Sequence, residues 1–85
     1  DHAALFYKQL VTAKAAIQSG IEISSAIEQA LDALSTIFEV EYIEVLNANN
    51  LTQITPSSCE IIIISAVKLG ETRLIDNIVF RRSDV

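Results

Sequence analysis

The chain has 85 residues, 51% of them apolar, with a net charge of −5 at pH 7 and a pI near 4.6, which limits it to one domain with a thin core. A single cysteine and only two glycines, Gly20 and Gly70, exclude a disulfide framework, a cysteine-based zinc site and a glycine-rich phosphate loop. Charge is uneven. Residues 1–58 carry the whole excess of anions, and no Lys or Arg lies between Lys14 and Lys68, so there is no basic stripe to neutralise nucleic-acid phosphates.

Residues 3–19 read as an amphipathic helix, because Phe6, Leu10, Ala13 and Ile17 recur on one face while Lys8, Gln9, Lys14 and Gln18 lie off it. Asp1 is placed to cap its start and Gly20 to end it in a left-handed conformation. Ser25-Ala26-Ile27-Glu28 fits a capping box opening a second helix, whose apolar face is Ile27, Ala30, Leu31, Leu34 and Phe38. The short Gly20–Ser24 connection implies an antiparallel helical hairpin. After Glu39 the period changes, and Val40–Leu46 reads as a short strand with imperfect alternation. Asn47-Ala48-Asn49-Asn50 is turn chemistry, with asparagine suited to left-handed backbone. Leu51–Ile54 reads as a loop or a brief extended piece, and Thr55-Pro56-Ser57-Ser58 breaks the chain. Glu60–Val67 is a strand by its β-branched content, Gly70-Glu71-Thr72 turns it, and Arg73–Phe80 returns as a third strand. Residues 81–85 read as a polar tail. The expected fold is α+β: a two-helix hairpin on a small three-stranded, mainly antiparallel sheet, one domain over residues 1–80.

Few residues can do chemistry. His2 is the sole histidine and reads as a solvated terminal residue, and Cys59 as a buried small hydrophobe. Glu41 and Glu44, three apart in a strand, are expected on opposite faces and so unable to form a carboxylate pair. Asn50-Leu51-Thr52 matches a glycosylation sequon of low specificity, and Arg81-Arg82 reads as a solvated basic spot. No triad, metal cluster or phosphate cradle assembles, so no catalytic, substrate-binding, cofactor-binding or metal residue is assigned. No basic and apolar leader opens the chain and no run spans a membrane, so the expected location is intracellular.

Two features ask for more. Glu60–Val67 is apolar at both parities, with Ile61, Ile63 and Val67 on one face and Ile62, Ile64 and Ala66 on the other. Two helices cover one face only, so something else is expected on the second: another domain, another copy, or a further part of the same polypeptide. In Arg73-Leu74-Ile75-Asp76-Asn77, charges fall within a strand and want partners. They read either as a turn-side Arg with an Asp bonding loop amides, or as part of a domain junction.

The block Ala66-Val67-Lys68-Leu69-Gly70-Glu71-Thr72-Arg73-Leu74-Ile75-Asp76-Asn77 closely resembles the C-terminal end of the pantothenate synthetase (pantoate–β-alanine ligase) family. Glu41-Tyr42-Ile43-Glu44-Val45, followed by an Asn-rich turn and Leu51, resembles that family's strand and loop. Ala4-Leu5-Phe6 through Gly20 is similar to the first helix after its domain hinge. The resemblance covers essentially the whole chain. It implies a cytoplasmic ligase that uses ATP and Mg²⁺ to make a pantoyl-adenylate, which β-alanine then attacks. It further implies a nucleotidyltransferase N-terminal domain that carries an H-x-G-H motif and forms a homodimer, a Ser-Ser-Arg-Asn segment at the domain junction, and a small C-terminal lid corresponding to this chain. Neither motif is present: Ser24-Ser25 and Ser57-Ser58 are followed by Ala26 and Cys59. No catalytic position therefore carries over, and the Arg73–Asn77 block is taken as architecture. The reading is a lid domain, inactive alone and binding no cofactor alone, that partners the N-terminal domain of the same polypeptide. Its rivals are a self-associating interaction module and, more weakly, a regulatory ligand-binding domain.

Overall fold

Asp1 begins the first helix by accepting the Ala4 amide on its carboxylate at 2.8 Å, which satisfies one of the donors a helix start leaves free. The computed structural model describes residues 1–82, and the elements run α1 (His2–Gln18), α2 (Ile23–Ser35), β1 (Glu39–Asn47), β2 (Glu60–Leu69) and β3 (Thr72–Arg81). The stripe read from the sequence is the buried one in α1: Phe6, Leu10, Ala13 and Ile17. The helix closes through Ser19 and Gly20, whose φ is +103°. The Gly20 amide donates to Ile17 and the Ile21 amide to Ala16, at 3.1 and 3.0 Å. This is the paired Schellman ending, and it needs a residue free of a Cβ penalty at Gly20.

The second helix departs from expectation. It starts at Ile23 on the Glu22 carbonyl, with no side-chain cap, and the Ala26 amide donates to that carbonyl. The Ser25–Glu28 capping box is therefore not formed, because the chain leaving the Schellman turn is already helical two residues earlier. The buried face is Ala26, Ala30 and Leu34, whereas Ile27 is half-buried and Leu31 exposed. The seam explains the rotation: Ala13 and Ala16 of α1 and Ala26 and Ala30 of α2 border one narrow groove of about 230 Å³ between the helices. Alanines allow the close approach that larger side chains would prevent. Beyond the helix, Phe38 is buried and meets Phe6 in a tilted contact, with ring centroids 6.0 Å apart, and the His2 ring edge-on at 6.2 Å.

The sheet is antiparallel in the order β1-β2-β3. The two-residue Gly70-Glu71 link joins Leu69 to Thr72, with Gly70 at φ +62° as the one left-handed position of that turn, the pattern of a type II′ hairpin. The imperfect alternation of β1 has a structural cause: the register slips between Val40 and Tyr42, making Glu41 a bulge. Val40, Ile43 and Val45 then face the helices with Ile61, Ile63, Val67 and Ile78. Ser65 shares that face at 0% exposure, and its hydroxyl donates to the Tyr42 carbonyl beside the bulge at 2.8 Å, so this buried donor is paired.

The β1–β2 connection is built from side chains that bond their own backbone. The Asn47 carboxamide oxygen accepts from the Asn49 amide, and that of Asn50 from both the Thr52 amide and hydroxyl. The left-handed residue is, however, Leu51, at φ +58°, not an asparagine. A Leu46–Gln53 bridge supplies the brief extended piece. The sheet also runs past the expected boundary at residue 80, with Arg81 in β3 and the Arg82 amide donating to Cys59 at 2.7 Å. The remainder of the expected tail, residues 83–85, lies outside the described residues.

Two substitutions probe the backbone with opposite signs. Leu51 is 57% exposed, so Leu51→Asn relieves left-handed strain with little loss of burial and should raise stability by about 1 kcal/mol in urea denaturation. A Cβ at Gly20 would meet nothing within 4 Å. Gly20→Ala therefore incurs only the backbone penalty and should lower stability by about 1 kcal/mol.

Candidate functional site

The helices cover one side of the sheet, and the other side is open. Register fixes its rows: Tyr42, Ala66 and Ile75; Glu44, Ile64 and Asn77; Leu46, Ile62 and Val79. Ile75 and Val79 of β3 are 59% and 54% exposed, and the neighbouring β2 is apolar at every open-face position from Ile62 to Ala66. Ion pairs stand at both ends. Arg73 Nε donates to Glu41 Oε1, and Arg81 Nη1 to Glu60 Oε1 at 2.9 Å. The hydrogen bond and charge of Glu41 push the Arg73 guanidinium above its ordinary value, so it stays charged at every working pH.

Glu41 and Glu44 are not on opposite faces as strict alternation requires. The bulge resets the count, so Glu41 reaches Arg73 on the open side and Glu44 lies opposite Ile64 on that same side. Asp76 sits on the helix side opposite Ser65 and accepts the amide of its neighbour Asn77 at 2.8 Å, not a loop amide. Arg73 and Asp76 thus both have partners within the domain, and no reacting group is formed by the Arg73–Asn77 block.

A second concavity, of about 780 Å³, opens where the α1–α2 corner faces the loop before β2. Ile17, Ile21, Ile23, Ile54 and Pro56 supply its apolar wall, and Glu22 and Arg82 its charges. Arg82 is not a free cation. Its Nη2 donates to the carbonyls of Thr55, Pro56 and Ser58 at 2.9, 3.1 and 2.8 Å, clamping the Thr55–Ser58 turn to the end of the sheet. The reading of Arg81-Arg82 as a solvated spot is therefore corrected for Arg82 only; the Arg81 side chain is exposed, although it lies in β3 and pairs with Glu60. The Thr-Pro-Ser-Ser turn exposes carbonyls that need a donor, but sequence spacing gives no sign that it comes from 26 residues away. Cys59 is half-buried, with its thiol directed to the Ser57 carbonyl at 3.6 Å. The sequon is folded as the Asn50–Thr52 turn described above.

Comparison with known proteins decides the family. The sequence profile described as pantoate-beta-alanine ligase matches residues 1–79. The chain belongs to that family. It is 44% identical over 82 residues to a pantothenate synthetase of Vesicomyosocius okutanii, covering 96% of this chain but 29% of that protein. It is 35% identical over 83 residues to a pantothenate synthetase of Shewanella sediminis, covering 96% and 30%. A bifunctional pantoate ligase/cytidylate kinase of Trichormus variabilis is 36% identical over 85 residues, covering 95% of this chain and 16% of that one. The fold is that of part of a pantothenate synthetase from Thermus thermophilus, with a TM-score of 0.75 at 23% identity over 86% of this chain and 27% of that one. The chain therefore spans less than a third of the relatives it matches.

The ATP and Mg²⁺ implied by the resemblance do not fit the described residues. No three His, Cys, Asp or Glu residues converge on a metal position. In the larger concavity the one cation, Arg82, is held by three carbonyls, which leaves no ready partner for a polyphosphate.

The two arginines at the sheet ends should differ sharply when removed. Arg82→Ala strands three carbonyls and should cost about 1–2 kcal/mol, with faster hydrogen exchange at the Ser58 amide. Arg73→Ala removes an exposed pair and should cost less than Arg82→Ala in the same denaturation series.

Proposed function

We propose that this chain is the C-terminal lid domain of a pantoate–β-alanine ligase and acts by closing over an active site whose reacting groups lie elsewhere in the polypeptide. The observation that carries the reading is the family match over residues 1–79 in a chain spanning 29% of its relative. The open apolar face of the sheet supports it. In this reading the whole enzyme activates pantoate with ATP and Mg²⁺ and transfers the pantoyl group to β-alanine in the cytoplasm, as a homodimer held by its N-terminal nucleotidyltransferase domains. The lid contributes no acid, base or nucleophile. It excludes water from the acyl-adenylate, so that the amine rather than water attacks, and it completes the site on closure. A domain rigidified by a turn clamp and a Schellman corner suits that work, because a lid that moves as a body must not deform as it does so.

The test compares the full-length polypeptide with a version ending before Asp1. The full-length protein should form pantothenate from pantoate, β-alanine and ATP. The shortened one should lose at least ten-fold in pantothenate formed, and should return more free pantoate per AMP released. A full-length protein with no pantoate-dependent AMP release, or a shortened one with undiminished coupling, refutes the reading.

A further inference from the structure

We propose that the sheet face opposite the helices, centred on Ile62, Ile64, Ile75 and Val79, is the surface by which this domain docks on the rest of its own polypeptide. The inference rests on the lid reading and adds to it the face that does the docking. Two of the three open-face rows, Tyr42–Ala66–Ile75 and Leu46–Ile62–Val79, are free of charge from edge to edge. The ion pairs Arg73–Glu41 and Arg81–Glu60 close the two ends. A β2 stripe of Ile62, Ile64 and Ala66 between ion-paired ends, with Glu44 and Asn77 only on the flanking strands, has the apolar core and polar rim of a protein interface.

Apolar side chains are also exposed on the helix layer, among them Leu5, Tyr7, Val11 and Leu31. On α1, however, they alternate with Lys8, Thr12 and Lys14 along the sequence, whereas on β2 the open-face positions Ile62, Ile64 and Ala66 are apolar without interruption. The length of chain outside these residues identifies the occupant. About seven-tenths of the Vesicomyosocius okutanii relative lies beyond the match, so the abundant nearby partner is that remainder, tethered at high effective concentration. The surface it presents should be apolar at its centre. A cation on it should meet Glu44, which stands in the middle row between the two closed ends.

Cysteine accessibility tests this directly. In a Cys59→Ser background of the full-length protein, single changes Ile75→Cys and Val79→Cys place thiols on the open face, and Val11→Cys places a control on α1. Maleimide labelling is timed with and without ATP, Mg²⁺ and pantoate, and compared with the same variants in the 85-residue chain. The expected result is labelling at least ten-fold slower at residues 75 and 79 in the full-length protein, in at least one of the two conditions, with residue 11 unchanged. Equal labelling in both proteins under both conditions overturns the proposal, even if the enzyme makes pantothenate and the lid reading stands. Protection that grows with the concentration of the 85-residue chain identifies a second copy as the occupant and also overturns it. Loss of pantothenate synthesis in the unmodified full-length protein would instead count against the lid reading, whatever the labelling shows.

Discussion

A strand that is apolar on both faces must be covered on both faces, and β2 sets this condition for the whole domain. Ile61, Ile63 and Val67 are sealed by the helix layer, each worth on the order of 1.5–3 kcal/mol of burial. Ile62 and Ile64 look the other way and are only half-buried by their strand neighbours. Two helices are enough for one layer and no more. The described domain is therefore a two-layer unit with one sheet face open, and the proposed docking would supply its third layer.

The polar residues obey the same geometry. On the open face two cross-strand ion pairs stand at the ends, and Glu44 lies on the edge strand in the middle row between them. The bulge at Glu41 makes one of these pairs possible, since it swings an acidic residue to the side on which Arg73 stands. On the helix side, Ser65 is tolerated in the core because the Tyr42 carbonyl accepts its hydroxyl hydrogen bond. The irregularities of this sheet are thus tied to its polar bonding.

Within the pantoate–β-alanine ligase family, such a unit fits the proposed part of a lid, which works by shape. The described residues offer a rigid corner, a clamped turn and an apolar face, and no convergent set of ligands. A division of labour follows in the proposed reading, with chemistry placed in one domain and water exclusion in the other. That division also accounts for the long stretch without cations between Lys14 and Lys68, because a lid need not hold phosphates itself.

Element type and order were legible from period and turn chemistry. The four-residue stripe of α1, Gly20 at its end, the Gly70-Glu71 hairpin and the two-faced β2 all follow from local sterics and side-chain spacing, which tertiary contacts here reinforce. The family was legible in the Leu69–Asn77 block. What sequence did not determine was phase and partner. The buried face of α2 was settled by an alanine seam with α1, the parity of β1 by a bulge, and the left-handed residue of the Asn-rich turn proved to be Leu51. Arg82 found its carbonyls only when β3 brought it back beside the Thr55–Ser58 turn. These are long-range choices between local conformations that differ by about a kilocalorie per mole, and packing energies of several times that size decide them.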